Sequence, residues 1–73
     1  MTNDELKDAL LSRSPVILTP TNSRAAEYSR VTAIIYRERN GAVVVSAEVL
    51  DTNGRSVVIC DPKNLTVKGE ANV

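Results

Sequence analysis

Two Asn-Gly dipeptides, Asn40-Gly41 and Asn53-Gly54, each stand between runs rich in β-branched residues. Asn and Gly accept the positive φ that a tight hairpin demands at its centre, which makes this the strongest short-range hairpin signal. The runs they join are Tyr28–Arg39, Ala42–Asp51 and Arg55–Asp61. Three antiparallel strands in succession are therefore expected in the middle of the chain.

The flanks are read from that centre outward. Residues 3–13 predict a helix: Thr2 with Glu5 forms a capping box, Asp4 and Glu5 suit the positive end of the helix dipole, and Leu6, Ala9 and Leu10 share one face. Arg13 falls near the negative end and Pro15 ends the element. Val16–Thr19 reads as a short strand stopped by Pro20, and Pro20–Ala26 as a polar loop. Pro62-Lys63-Asn64 predicts one 3₁₀ turn, followed by a short strand Leu65–Lys68 and a frayed tail, residues 69–73.

Register decides which face is buried, because a slip of one residue turns every side chain over. A two-residue loop at Asn40-Gly41 would pair Arg39 with Ala42. Three-residue bulged turns at both Asn-Gly sites, the preferred reading because they bury one continuous set, align Val31, Ala33 and Ile35 with Val49, Ala47 and Val45, and Val49 and Ala47 with Val57 and Ile59. One odd-numbered set then forms the core. The even-numbered face also carries Tyr28, Ile34, Tyr36, Val44, Leu50, Val58 and Cys60, which a flat sheet leaves wet. Curling the sheet accommodates both faces. The expected fold is mainly β: one domain over residues 1–73, a small five-stranded SH3-like or Sm-like antiparallel barrel over residues 16–68 with an N-terminal α-helix.

That order of elements resembles the Sm-like RNA-binding proteins over nearly the whole chain. The resemblance implies a barrel and a nucleic-acid ligand. The glycine that bends their long second strand has no counterpart in Glu27–Val31, and Val57–Asp61 lacks their basic RNA-contacting signature. The strings Ala33–Arg37, Ser46–Asp51, Asn53-Gly54 and Ser56–Pro62 are similar to short bacterial prophage and mobile-element proteins of no assigned function. This second resemblance implies a context and no activity.

Composition narrows the chemistry. Among 73 residues there is no His, Trp or Phe, so neither a histidine-based nucleophile pair nor an imidazole base exists. The lone Cys60 allows no internal disulfide and reads as an inert buried thiol, since the adjacent Asp61 disfavours the thiolate. One Cys and scattered carboxylates match no zinc pattern, and three separated glycines make no phosphate loop. No enzyme, metal or cofactor is expected. Nine basic residues balance nine acidic ones, so no global field draws the protein to a polyanion. An acidic opening, Met1-Thr2-Asn3-Asp4-Glu5, and no long apolar run predict a cytoplasmic protein with no membrane span.

The candidate binding residues are Arg24, in a polar loop placed where small barrels meet partners, and Tyr28, Arg30, Tyr36 and Arg37 on the long strand. Arginine interleaved with tyrosine suits single-stranded nucleic acid, by stacking and phosphate contact. On the bulged register Arg30 shares a face with both tyrosines and Arg37 does not. Two aromatics are too few for a proline-reading groove. The expected function is a non-enzymatic binding or assembly module that docks a protein partner or itself, with nucleic-acid binding as the alternative. The fourth and fifth strands are short and nothing blunts their edges, which leaves strand-edge assembly open.

Overall fold

Thr2 and Glu5 close the capping box: the Thr2 hydroxyl accepts the Glu5 N–H at 3.2 Å, and the Glu5 carboxylate accepts the Thr2 N–H at 2.8 Å. That bond from the Thr2 N–H, and then the Thr2 hydroxyl, hold the Glu5 carboxyl below the usual carboxylate range. The helix α1 that follows spans Asn3–Ser12 in the computed structural model, which describes residues 1–68. The tail expected to fray, residues 69–73, lies outside the described residues. Arg13 ends the helix in the left-handed region (φ 57°) and donates its N–H to Ala9 O at 3.1 Å, so it serves as a cap rather than as a last-turn cation. Leu6 and Ala9 are buried and Leu10 packs beside them, as the spacing predicts.

The strands are β1 (Val16–Leu18), β2 (Ala26–Tyr28), β3 (Arg30–Arg39), β4 (Ala42–Leu50), β5 (Val57–Cys60) and β6 (Leu65–Val67). The 3₁₀ turn Pro62–Asn64 forms before β6 as expected, with Asp61 Oδ1 accepting the Lys63 N–H at 3.0 Å. All pairing is antiparallel.

The five-stranded SH3-like or Sm-like barrel does not form. Six strands make two three-stranded sheets, ordered β2-β1-β6 and β3-β4-β5, and neither closes. The long strand expected over Tyr28–Arg39 begins earlier, at Ala26, and divides at Ser29. Tyr28 pairs with Val16 in the first sheet, while the Ser29 N–H already donates to Leu50 O in the second, at 2.7 Å. Closure would join β5 to β6, but these belong to different sheets and the proline-led turn between them carries the chain from one to the other.

Both hairpin registers also differ from expectation. Arg39 pairs with Ala42, so Asn40 (φ 52°) and Gly41 (φ 82°) form a two-residue loop whose twist matches that of the strands. The bulge expected at this turn lies at the far end of β3 instead. Val31 pairs with Val49 and Ala33 with Glu48, leaving Thr32 as the extra residue. Its hydroxyl donates to Glu48 Oε1 at 2.7 Å and approaches Glu48 O at 3.3 Å. The core-facing set of β3 is therefore Val31 and Ile34, in place of Val31, Ala33 and Ile35.

At the second hairpin Leu50 pairs with Val57 and Asp51 N–H donates to Ser56 O at 2.8 Å. The loop is one residue longer than expected. Asn53 Oδ1 accepts the Arg55 N–H at 2.9 Å, and Gly54 (φ 72°) donates to Asp51 O at 2.9 Å, which stabilises the extra residue. This slip turns Val58 and Cys60 toward the core side and Val57 and Ile59 away from it.

The core lies where the helix meets both sheets. Leu6 and Ala9 come from α1, Val16, Leu18 and Leu65 from the first sheet, and Val31, Ala47 and Val49 from the second. No helix among the described residues is long and apolar enough to cross a membrane.

Two outcomes test this arrangement. Leu6 is fully buried, so Leu6→Ala costs about 2–5 kcal/mol. Against a stability of roughly 5–10 kcal/mol for a chain this size, that lowers the thermal midpoint by more than ~10 °C. A Cβ at Gly41 meets nothing within 4 Å, so Gly41→Ala is penalised by backbone geometry alone. Urea unfolding then reports a loss of about 1–2 kcal/mol.

Candidate functional site

Val57, Val58 and Ile59 of β5 are 48, 39 and 46 % exposed, on both faces of one strand. Their exposure follows from the ladder. Because Asp51 and Ser56 are a hydrogen-bonded pair, Val49 with Val58 and Ala47 with Cys60 are hydrogen-bonded pairs too. The N–H and C=O groups of Val57 and Ile59 therefore point away from β4, toward an edge that no other described strand covers. The strand pairs β-branched side chains with unpartnered backbone groups, which is the chemistry that accepts another strand.

The face around this edge mixes apolar side chains with Arg30, Arg37, Ser46 and Glu48. Val57 lies beside Leu50, and Ile59 lies beside Glu48, whose carboxylate is occupied by Thr32. Farther along the same face Ala33, Ile35 and Val44 add apolar surface. On the opposite face Val58 follows Val49 outward past the rim of the core. Cys60 sits between Ala47 and that rim. Burial pushes its thiol up from the ordinary value, and the Asp61 carboxylate adds to the effect.

The expected binding residues do not gather. Arg24 is exposed in the loop between β1 and β2, Tyr28 packs against the core from β2, and Tyr36 stands 53 % exposed on the core-side face of β3, beside Val45. The bulge at Thr32 puts Arg30 and Arg37 together on the outer face, opposite Leu50 and Val44. Arg30 therefore does not share a face with Tyr36, which corrects the expected grouping. Leu50 and Val44 are six positions apart on β4, so the two arginines stand ~20 Å apart along the sheet.

A concavity of about 420 Å³ runs between α1 and β6. Ala9, Leu65 and Val67 line it, with Glu5, Asp8 and Lys63 at its rim. The Glu5 carboxylate is committed to the helix cap. Among the described residues no three His, Cys, Asp or Glu side chains come together as a metal site requires. Comparison with known protein families, curated proteins and solved structures finds no match for this chain.

The β5 edge was only half visible beforehand. Shortness and charged flanks are legible in Arg55–Asp61, but the register that exposes Val57 and Ile59 depends on a loop one residue longer than expected. The thiol gives the test here. Alkylation of Cys60 at neutral pH proceeds more slowly in the folded chain than in urea-unfolded chain, and the gap narrows as pH rises toward the raised pKa. Equal rates at neutral pH would contradict the packed, thiolate-disfavouring position of Cys60.

Proposed function

We propose that this protein is a non-enzymatic docking module that binds another polypeptide by adding a strand at the β5 edge. The observation that carries this reading is the outward direction of the Val57 and Ile59 backbone groups on a strand with exposed β-branched side chains. Backbone bonds supply affinity in this mode, and side chains alternating above and below the edge supply selectivity. The residue inventory supports a binding role in its own right. There is no histidine, and the single thiol is disfavoured as a nucleophile. The nucleic-acid alternative gains no geometric support, because Tyr36 and the two strand arginines occupy opposite faces.

Ile59→Lys tests the reading. A lysine at an exposed edge position leaves the fold intact, because Ile59 faces away from the core, and it obstructs strand addition. The variant is expected to melt within a few degrees of the parent while losing association, with itself or with any captured protein, by about tenfold or more. Val43→Lys, at an exposed site away from β5, is the matched control. Unchanged association in Ile59→Lys, or salt-sensitive binding of single-stranded RNA that Arg30→Ala and Arg37→Ala weaken, would replace this reading with another.

A further inference from the structure

We infer that the strand received by the β5 edge is β5 of a second copy of this chain, paired antiparallel about a two-fold axis through Val58. The inference rests on the reading of β5 as the docking edge and names its partner. Because Val57 and Ile59 carry the outward backbone groups, only registers that set odd-numbered residues opposite odd-numbered residues can form the ladder. Three such registers keep the strands in contact, and charge separates them.

Centring on Val58 sets Val57 opposite the partner's Ile59, a hydrogen-bonded pair that the symmetry repeats. It also sets Arg55 opposite the partner's Asp61, again twice. Both side chains are exposed, and the only ion pair of Asp61 among the described residues is a loose 3.6 Å contact with Lys63. Centring on Ile59 instead brings Arg55 against the partner's Lys63 and sets Val57 opposite the partner's Asp61. Centring on Val57 sets Asp61 opposite the partner's Asn53. The Val58 register alone is electrostatically self-complementary.

Three other described strands end the sheets, and each competes poorly: β2 has three residues, β3 carries Arg30, Arg37, Glu38, Arg39 and the bulge at Thr32, and β6 has few free ladder groups. Lys68 N–H to Pro15 O and Thr19 N–H to Asn64 O show that Leu65 and Val67 carry the outward groups of β6. The Leu65 N–H is already taken by Pro62 O, which leaves fewer ladder bonds than β5 offers. A formal net charge of zero opposes no approach of two copies. The pairing is isologous, so it closes at two subunits and joins the β3-β4-β5 sheets of the two copies into one continuous sheet.

Cysteine scanning reads the axis directly. In a Cys60→Ser background, Val57→Cys, Val58→Cys and Ile59→Cys are oxidised separately with glutathione disulfide, and covalent dimer is followed on non-reducing gels. Val58 faces its own copy in a non-hydrogen-bonded pair, with Cα atoms ~4.5 Å apart, within disulfide reach. The result expected is cross-linking at position 58 at least ~10-fold faster than at 57 or 59, whose copies are displaced along the strand. Fastest cross-linking at 57 or 59, or equal rates at all three, overturns the inference.

Sedimentation of the full chain at high micromolar concentration supplies the second measurement. A dimer is expected, which Arg55→Glu weakens roughly tenfold and the added Asp61→Lys restores. Circular dichroism of each variant excludes unfolding as the cause, and the cysteine scan stands without the charge pair. A parent chain that stays monomeric yet captures another protein in an Ile59-dependent manner overturns this inference and leaves the docking reading standing. A dimer indifferent to Ile59→Lys overturns both. Assemblies larger than a dimer overturn the two-fold pairing.

Discussion

The extra residue at Thr32 is the constraint on which the rest of the molecule depends. The two-residue turn at Asn40-Gly41 sets Ile34 opposite Ala47. Carried straight through, that register would set Thr32 opposite Val49 and turn Val31 to the far face. The bulge adds one position, so Val31 and Ile34 both reach the core, and Val31 is buried completely. Burying a valine is worth roughly 1.5–3 kcal/mol, and the alternative would also have buried a hydroxyl against Val49. The Thr32 hydroxyl instead meets the Glu48 carboxylate on the outer face. A polar residue at the bulge and a polar partner across the strand settle the register together.

The same bulge governs the assignment of side chains that bear on function. It moves Arg30 onto the outer face with Arg37 and separates both from Tyr36. The break at Ser29 does comparable work on a larger scale. By passing the chain from one sheet to the other it lets a short helix, with only Leu6 and Ala9 fully committed, seal the junction of two small sheets. A chain this small buries only about 60 % of its unfolded surface. That surface is spent at the junction, and β5 receives little of it.

Much of the architecture was legible in the residues. The capping box, the apolar helix stripe, the two hairpins and the 3₁₀ turn are each specified by local chemistry, and each stands within a residue or two of its expected position. What was not legible is what local chemistry leaves open. Asn-Gly fits either a two-residue turn or a bulged one, and the choice was settled by Val31 and Thr32, eight residues or more upstream. The apolar even-numbered face suggested a closed barrel. Instead, Tyr36, Val44 and Val58 remain partly exposed, and the two sheets stay open. The candidate site suffered the same way: Arg and Tyr were visible as types, but a single bulge decided which of them face together.

An open, β-branched edge is ordinarily an aggregation hazard, and the surroundings of β5 bound that hazard. The strand is four residues long, Arg55 precedes it and Asp61 follows it, so a ladder extending past Cys60 meets a charge and then the 3₁₀ turn Pro62–Asn64 that ends the extended chain. A cross-β stack of identical strands in parallel register would pile Arg55 on Arg55 and Asp61 on Asp61, at a cost that rises with each added copy. Reversing one strand against another removes that repulsion and consumes the edge in one step. The charges at the two ends of β5 thus argue for a single antiparallel encounter that closes, over an open-ended polymer.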